Sequence, residues 1–321
     1  MNPWRLTWPA AWGGPVGSAQ MRTSNEDFRV EELLPAPLEG QGDHLCLYLQ
    51  KSGDNTEYVA RQLARIAGLK PVDIGFCGLK DRHAITAQWF SLHRPKGDDA
   101  ALVEAVSEHW SVLEYRRHHR KLRRGEHRAN RFTLVLRELA LTDREALEQR
   151  LQAVRDQGFP NYFGPQRFGF DGNNLDQAIQ LDPRKLRGRL GKRAMYLSAA
   201  RAWLFNELLG ERVANGTWLT RLDGDPDPAQ PTAAMLGDGG SSAEPPLKED
   251  ENALLEAHPH FKELLACTRT RPERRPTVIV PEGFEWQWLD DDALELRFGL
   301  PTGSFATSLL EELLEVTTAP R

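Results

Sequence analysis

Apolar residues recur with two different periods along this chain. In "EDFRVEEL", Phe28 and Val30 alternate with charged neighbours, the two-residue repeat of a strand with one buried face. "DHLCLYLQ" is a more continuous apolar run and predicts a second strand. The period then lengthens. In "NTEYVARQLARIAGL", Val59, Leu63 and Ile66 recur at helical spacing, Asn55 can cap the first turn and Gly68 suits the exit. "AITAQWFSLH" and "RFTLVLREL" return to strand texture. A second helix is predicted where Thr142 and Glu145 form a capping box, with Leu147, Leu151 and Val154 on one face and Gly158 beyond the end. The chain up to residue 155 thus reads as a sheet with helices packed on it.

After "GFPNYFGPQRFG" the texture changes. Residues 182–216 read as helical, with Leu197, Leu204 and Leu208 able to share a face. Residues 222–250 are dense in Gly, Pro, Ser and Asp, which predicts a long loop that buries little. Strand texture resumes at "PTVIVPEGFEWQWL" and "ALELRFGLPTG", and the leucine pairs of "TSLLEELLEV" suit an amphipathic helix. Strands at both ends around a helical middle predict one domain inserted into another.

Length and composition fit that division: 321 residues with 40% hydrophobic content can bury two cores. No apolar run approaches the roughly 18 residues of a membrane span. The start "MNPWRLTWPAAWGG" lacks the basic region and apolar core of a signal peptide, so a cytoplasmic location is expected. Cys46, Cys77 and Cys267 lie far apart with no metal-ligand spacing, and neither disulfides nor a structural metal is expected.

A net charge of −5 argues against a polyanionic partner, but the distribution argues for one. Residues 116–131, "RRHHRKLRRGEHRANR", carry eight Lys or Arg and a single acid, Glu126. A local stripe of this kind can capture a polyanion while screening limits the distant acids. Arg116, Arg117, Arg120, Lys121, Arg123, Arg124, Arg128 and Arg131 are therefore candidate contacts to a polyanion, against the plainer reading of a solvated charged face. His118, His119 and His127 sit in the same run, where phosphate contact is open to them.

The candidate chemistry lies in "GFCGLKDRHAITAQWFSL", residues 75–92, which sets Asp81 between Lys80 and Arg82 on a glycine-rich turn. Gly75 and Gly78 permit backbone angles closed to other residues and allow a tight turn. Flanking cations would keep Asp81 ionised, which suits a surface ion pair and a nucleophile equally.

"GLKDRHAITAQ" resembles the catalytic signature of the TruD family of tRNA pseudouridine synthases. Four further segments agree in order and spacing: "EDFRVEEL", "NRF" at 130–132, "FPNYFGPQRFG" at 159–169 and "LPTGSFATSLLEELL" at 300–314. The resemblance implies an α+β fold. Its pseudouridine-synthase catalytic domain, with a mixed, mainly antiparallel sheet, would span 1–155 and 279–321, interrupted by an inserted α/β domain over 156–278. It implies that Asp81 is the catalytic aspartate, that tRNA is the partner and that uridine 13 of the D-arm is the target. No metal, protein partner or membrane is implied. No cofactor is needed either, because moving the ribose from N1 to C5 of uracil changes no redox state and donates no group.

A base detached from its sugar needs an aromatic face and polar contacts. Phe28, Phe132 and Phe305 lie in the resembling motifs and are candidates for the face, with core packing as the plainer role. Asn130 can offer uracil a donor and an acceptor. Lys80 could hold Asp81 ionised or contact a phosphate. Arg167 could contact RNA, although the prolines and glycines around it equally suit a rigid hinge. Two rival functions are a non-catalytic RNA-binding protein and an Asp-dependent glycoside hydrolase, the latter needing a second carboxyl group and giving the basic run no purpose.

Overall fold

The computed structural model describes residues 4–186 and 191–318. Its contacts gather into two compact units. The sheet unit comprises Gly17–Thr142, Pro281–Gly303 and Glu315–Arg321, and the helical unit comprises Met1–Val16, Asp143–Val280 and Ser304–Leu314. The boundary expected at residue 155 falls inside helix α3 (Arg144–Gln157), which lies whole in the helical unit.

Among the described residues the sheet unit has ten strands. They are β1 (Gly17–Met21), β2 (Phe28–Leu33), β3 (His44–Ser52), β4 (Ile74–Phe76), β5 (Ile85–His93), β6 (Ser111–His118), β7 (Ala129–Leu141), β8 (Glu282–Asp290), β9 (Ala293–Pro301) and β10 (Glu315–Thr318). The main path runs β8-β9-β7-β2-β5-β3-β6, with β4 beside β5 and with β1 between β7 and β10. The β2–β5 and β1–β10 pairs are parallel and the others antiparallel, giving the mixed, mainly antiparallel sheet expected.

One face of the sheet is covered by α1 (Thr56–Ile66) and α2 (Asp99–Ser107). Val59 and Leu63 of α1 are fully buried in the cluster that holds Leu45, Leu47, Leu49, Phe90 and Leu92. Asn55 caps α1 by accepting from the Tyr58 amide at 2.8 Å, as its spacing predicts. The parallel β2–β5 pair matters most for chemistry. Parallel strands start at the same end, so the turns leading into β2 and β5 lie side by side. Register then sets the neighbours: Val30 stands opposite Phe132 on β7 and Thr86 on β5, and Glu32 opposite Asn130. Because paired residues point to one face, Phe28, Val30, Glu32, Asn130 and Phe132 share it.

The helical unit is built on α5 (Arg193–Ala214), flanked by α4 (Asn173–Ile179), α6 (Leu247–Ala257) and α7 (Pro259–Cys267). Leu197, Leu204 and Leu208 are buried together, as their spacing predicts. Part of the expected 182–216 helix, residues 187–190, lies outside the described residues. Tryptophans of the N-terminal segment wedge into this unit: Trp4 donates to Asp176, Trp8 to Glu207 and Trp12 to the Gly158 carbonyl.

Three expectations are corrected. The cap of α3 is Asp143, which accepts from the Ala146 amide at 3.0 Å, and Thr142 does not serve. The stretch 222–250 is not a bare loop. Residues Thr232–Met235 form a strand with Glu273–Pro276, Asp225 accepts from the Thr232 amide at 2.7 Å, and Glu251 accepts from the Ala234 amide at 2.9 Å while pairing with Arg274 at 2.5 Å. Polar residues there bond each other and buried backbone, where the composition predicted contact with water. Finally, the closing segment is helical only over α8 (Ala306–Leu310), because Glu315–Thr318 is drawn into the sheet as β10.

Candidate active site

Asp81 lies on the turn that joins β4 to β5, and that turn is pinned residue by residue. The Gly78 carbonyl accepts from Gln88 Nε2 at 3.1 Å, and the Lys80 amide donates to Thr56 Oγ1 at 2.8 Å. Arg82 bonds Gly53 through both its guanidinium and its carbonyl, at 2.9 and 3.1 Å. Lys51 Nζ reaches the Asp54 carbonyl at 2.6 Å and the Asp81 carbonyl at 3.5 Å. The need for Gly78 is space, not angle, for its φ is not positive. A Cβ there would lie 2.7 Å from Lys80 Nζ and 3.2 Å from Glu32 Oε2.

The Asp81 side chain is 51% exposed, and its Oδ2 lies 2.6 Å from Arg22 Nη2. Arg22 stands in the turn between β1 and β2, in the left-handed region at φ 60°. Its guanidinium rests 4.0 Å from the centre of the Phe28 ring. Non-glycine residues are held there only when their surroundings over-determine them, and such strain gathers at functional sites. The same turn is anchored by Asp27, which is buried and bound by Arg137 through Nε and Nη2, at 2.7 Å for the shortest contact. Burial works against the Asp27 charge, but Arg137 and the Ser24 amide outweigh it and hold the carboxyl below its usual range.

Lys80 does not serve Asp81. Its ammonium lies 2.7 Å from Glu32 Oε2, with side-chain exposures of 4% and 0%, and the other Glu32 oxygen accepts from the Trp89 amide at 3.2 Å. Neither expected role of Lys80, at Asp81 or at a phosphate, matches that placement. Lys51 is the second buried lysine: burial pulls its pKa down to about 8, with Asp54 opposing.

Phe28 and Phe132 are nearly buried, with ring centres 6.4 Å apart edge to face, and Phe132 stacks on Phe298 at 5.3 Å. The core-packing role describes both as they stand. Asn130 Nδ2 meets His127 Nε2 at 3.3 Å, so the His127 ring is engaged by a side chain of β7. His118 pairs with Glu39.

The basic run is less free than its composition implies. Exposed ion pairs join Arg116 to Glu114, Arg120 to Glu126, Arg124 to Glu57, Arg128 to Glu282 and Arg131 to Glu31. Such pairs are worth about 0–1 kcal/mol, so a phosphate can replace the acid. Lys121 bonds the Val72 carbonyl, and Arg123 is exposed. Arg117 differs: 19% exposed, it clasps Asp99 at 2.5 Å and the Arg94 carbonyl at 2.6 Å, which makes it part of the fold.

Phe305 and Arg167 belong to the helical unit. Phe305 is half-buried, its ring 5.9 Å from that of Phe163. Arg167 lies 5.5 Å from the same Phe163 ring and 3.4 Å from Ser198 Oγ, and burial lowers its pKa. Sequence reasoning missed Arg22, Lys51 and Glu32. The last lies inside the quoted "EDFRVEEL", while nothing local distinguishes the other two from ordinary surface cations.

The model of the family "tRNA pseudouridine synthase D (TruD)" matches residues 13–176. The tRNA pseudouridine synthase D of Marinobacter nauticus is 49% identical, over 98% of this chain and 96% of its own length. That of Cellvibrio japonicus is 43% identical, over 97% and 94%. A crystal structure assigned to TruD of Methanosarcina mazei shares the fold, with a TM-score of 0.68 at 20% identity over 95% of both chains. The collinear motifs, the sheet and these matches agree, and the chain belongs to the TruD family of tRNA pseudouridine synthases.

Proposed function

We propose that this chain converts uridine to pseudouridine in tRNA with Asp81 as the group that acts on the ribose, and that its target is uridine 13 of the D-arm. The enzyme class follows from the family, an isomerase of tRNA, which sets aside the hydrolase and the non-catalytic readings. The observation that carries the role of Asp81 is its ion pair with Arg22 on a turn pinned from α1 and β3. Arg22 engages one carboxylate oxygen, and the half-exposed side chain can offer the other to a substrate.

The reaction breaks N1–C1′ and forms C5–C1′; the proton leaves C5 and N1 gains one, so the atoms balance without a co-reactant. A carboxylate near C1′ can stabilise the charge that develops there or attack it to form an ester. Removal of the C2′ proton to give a glycal, or attack at C6, would use the same group. Asn130 would contact the edge of the extruded base. An aromatic face would replace the stacking that the extruded base loses. The remaining cations of the run would hold the backbone.

The test is Asp81→Asn. Tritium release from 5-tritiated uridine in tRNA should vanish while tRNA binding persists. Release at the wild-type rate would reject the role, and mapping pseudouridine in the treated tRNA decides the position.

A further inference from the structure

Asn130 Oδ1 and His127 Nδ1 are buried and lack hydrogen-bond partners. The side chains meet through their other ends, Asn130 Nδ2 lying 3.3 Å from His127 Nε2. With the NH2 end of the Asn130 amide toward the ring, Nε2 accepts and the neutral ring carries its hydrogen on Nδ1. The histidine is held in place. The Thr302 hydroxyl donates to its carbonyl, and a Cβ on Gly78 would come within 3.3 Å of its Cε1. The charged groups that face the ring are the Lys80 ammonium and the Glu32 carboxylate. Burial first and Lys80 second draw its pKa below the ordinary value, with Glu32 opposing. The accepting, neutral form is therefore the one present near pH 7.

We infer that His127 is a positioning residue that holds the Asn130 amide with its carbonyl oxygen left for the base, so that the pocket accepts an imide N–H and refuses a ring-nitrogen lone pair. This rests on the reading in which Asn130 contacts uracil and deepens it. Uracil carries a hydrogen on N3, where cytosine presents a lone pair. A freely turning amide could satisfy either base; one anchored through its NH2 accepts from the first and repels the second. An unpaired buried acceptor costs about 1–3 kcal/mol, and the N3–H of uracil would supply its missing partner. Protonation reverses the arrangement. An imidazolium donates from both nitrogens, so the amide must turn its oxygen to His127 and face the base with NH2.

The test uses the full chain and 5-tritiated tRNA, with kcat and KM followed from about pH 4 to 8.5, so that the window extends below the ordinary histidine range in the direction in which burial draws this ring. In the wild type, kcat/KM should fall at acid pH through KM. His127→Gln, whose side-chain carbonyl accepts but does not titrate, should stay active near neutrality and lose that acid limb. His127→Ala should raise KM about tenfold, the worth of one such hydrogen bond, with kcat little changed. An acid limb that persists in His127→Gln, or none in the wild type, overturns the inference, as does a wild-type KM in His127→Ala. If His127→Ala fails to fold, the other two profiles decide. Asn130→Ala separates the two failures: a wild-type KM there removes the role of Asn130 itself, whereas an impaired Asn130→Ala beside unimpaired His127 variants removes only this inference.

Discussion

Lys80 gives its ammonium to Glu32 at 2.7 Å, although Asp81 is its neighbour in the chain. Both side chains are almost wholly excluded from water, so each charge depends on the other. Removing one leaves the second uncompensated. Lys80→Met and Glu32→Gln are each expected to lower stability by about 3–5 kcal/mol, and the double variant by clearly less than their sum. Urea denaturation of the four proteins checks this, and strict additivity would mean that the pair is not coupled.

Arg22 is expected to matter to rate more than to stability. Asp81 is half exposed, so their ion pair contributes at most about 1 kcal/mol to folding. Arg22→Ala should keep its melting temperature within a few degrees and lose at least about tenfold in kcat, an effect of about 1.4 kcal/mol on the barrier. Single-turnover kinetics with tRNA measure the loss.

Lys51 should give stability a distinctive pH dependence. Its folded-state pKa of about 8 lies below the ordinary lysine value, so the unfolded chain binds the extra proton above pH 8. Stability from this group is therefore full above the unfolded-state pKa and is lost as pH falls through the folded one. Relative to Lys51→Met, the wild type should gain stability between about pH 8 and 10.5. Denaturation of both proteins at the two ends of that window checks the sign.

The cations of the basic run should divide into two kinds. Replacing Arg120, Arg123 and Arg124 with alanine should weaken tRNA binding and flatten its salt dependence by up to about three phosphate contacts, with little change in melting. Arg117→Ala should instead destabilise the fold by about 1–3 kcal/mol, because it leaves the part-buried carbonyls of Arg94 and Gly42 without their donor and Asp99 with only the longer contact to Arg94. An unchanged salt slope in the triple variant would turn this face away from tRNA.

Most elements could be read from periodicity. Val59 and Leu63 fall on the buried face of α1, and Phe28 and Val30 on that of β2, because burial and spacing are the same fact seen twice. The failures share a cause as well. Glycines and acids of 222–250 look like solvent-facing residues until Asp225, and Glu251 just after the stretch, are seen binding interior amides. The motifs single out Asp81 and Asn130 as candidates, but the ion-pair partner of Asp81 is 59 positions away. Charge pairing over such a distance is decided by topology, and a string of residues carries no local mark of it.

The side-by-side strands β2 and β5 have a consequence for how activity is born. Joining them in parallel requires the whole intervening stretch, with β3, α1 and β4, to settle first. The far flank of β2 is β7, which is braced in turn by β9 at 293–301. A nascent chain still lacking that last brace should therefore hold Asp81 without its setting. Catalysis would then switch on late in synthesis, after the distant strands have closed round the turn.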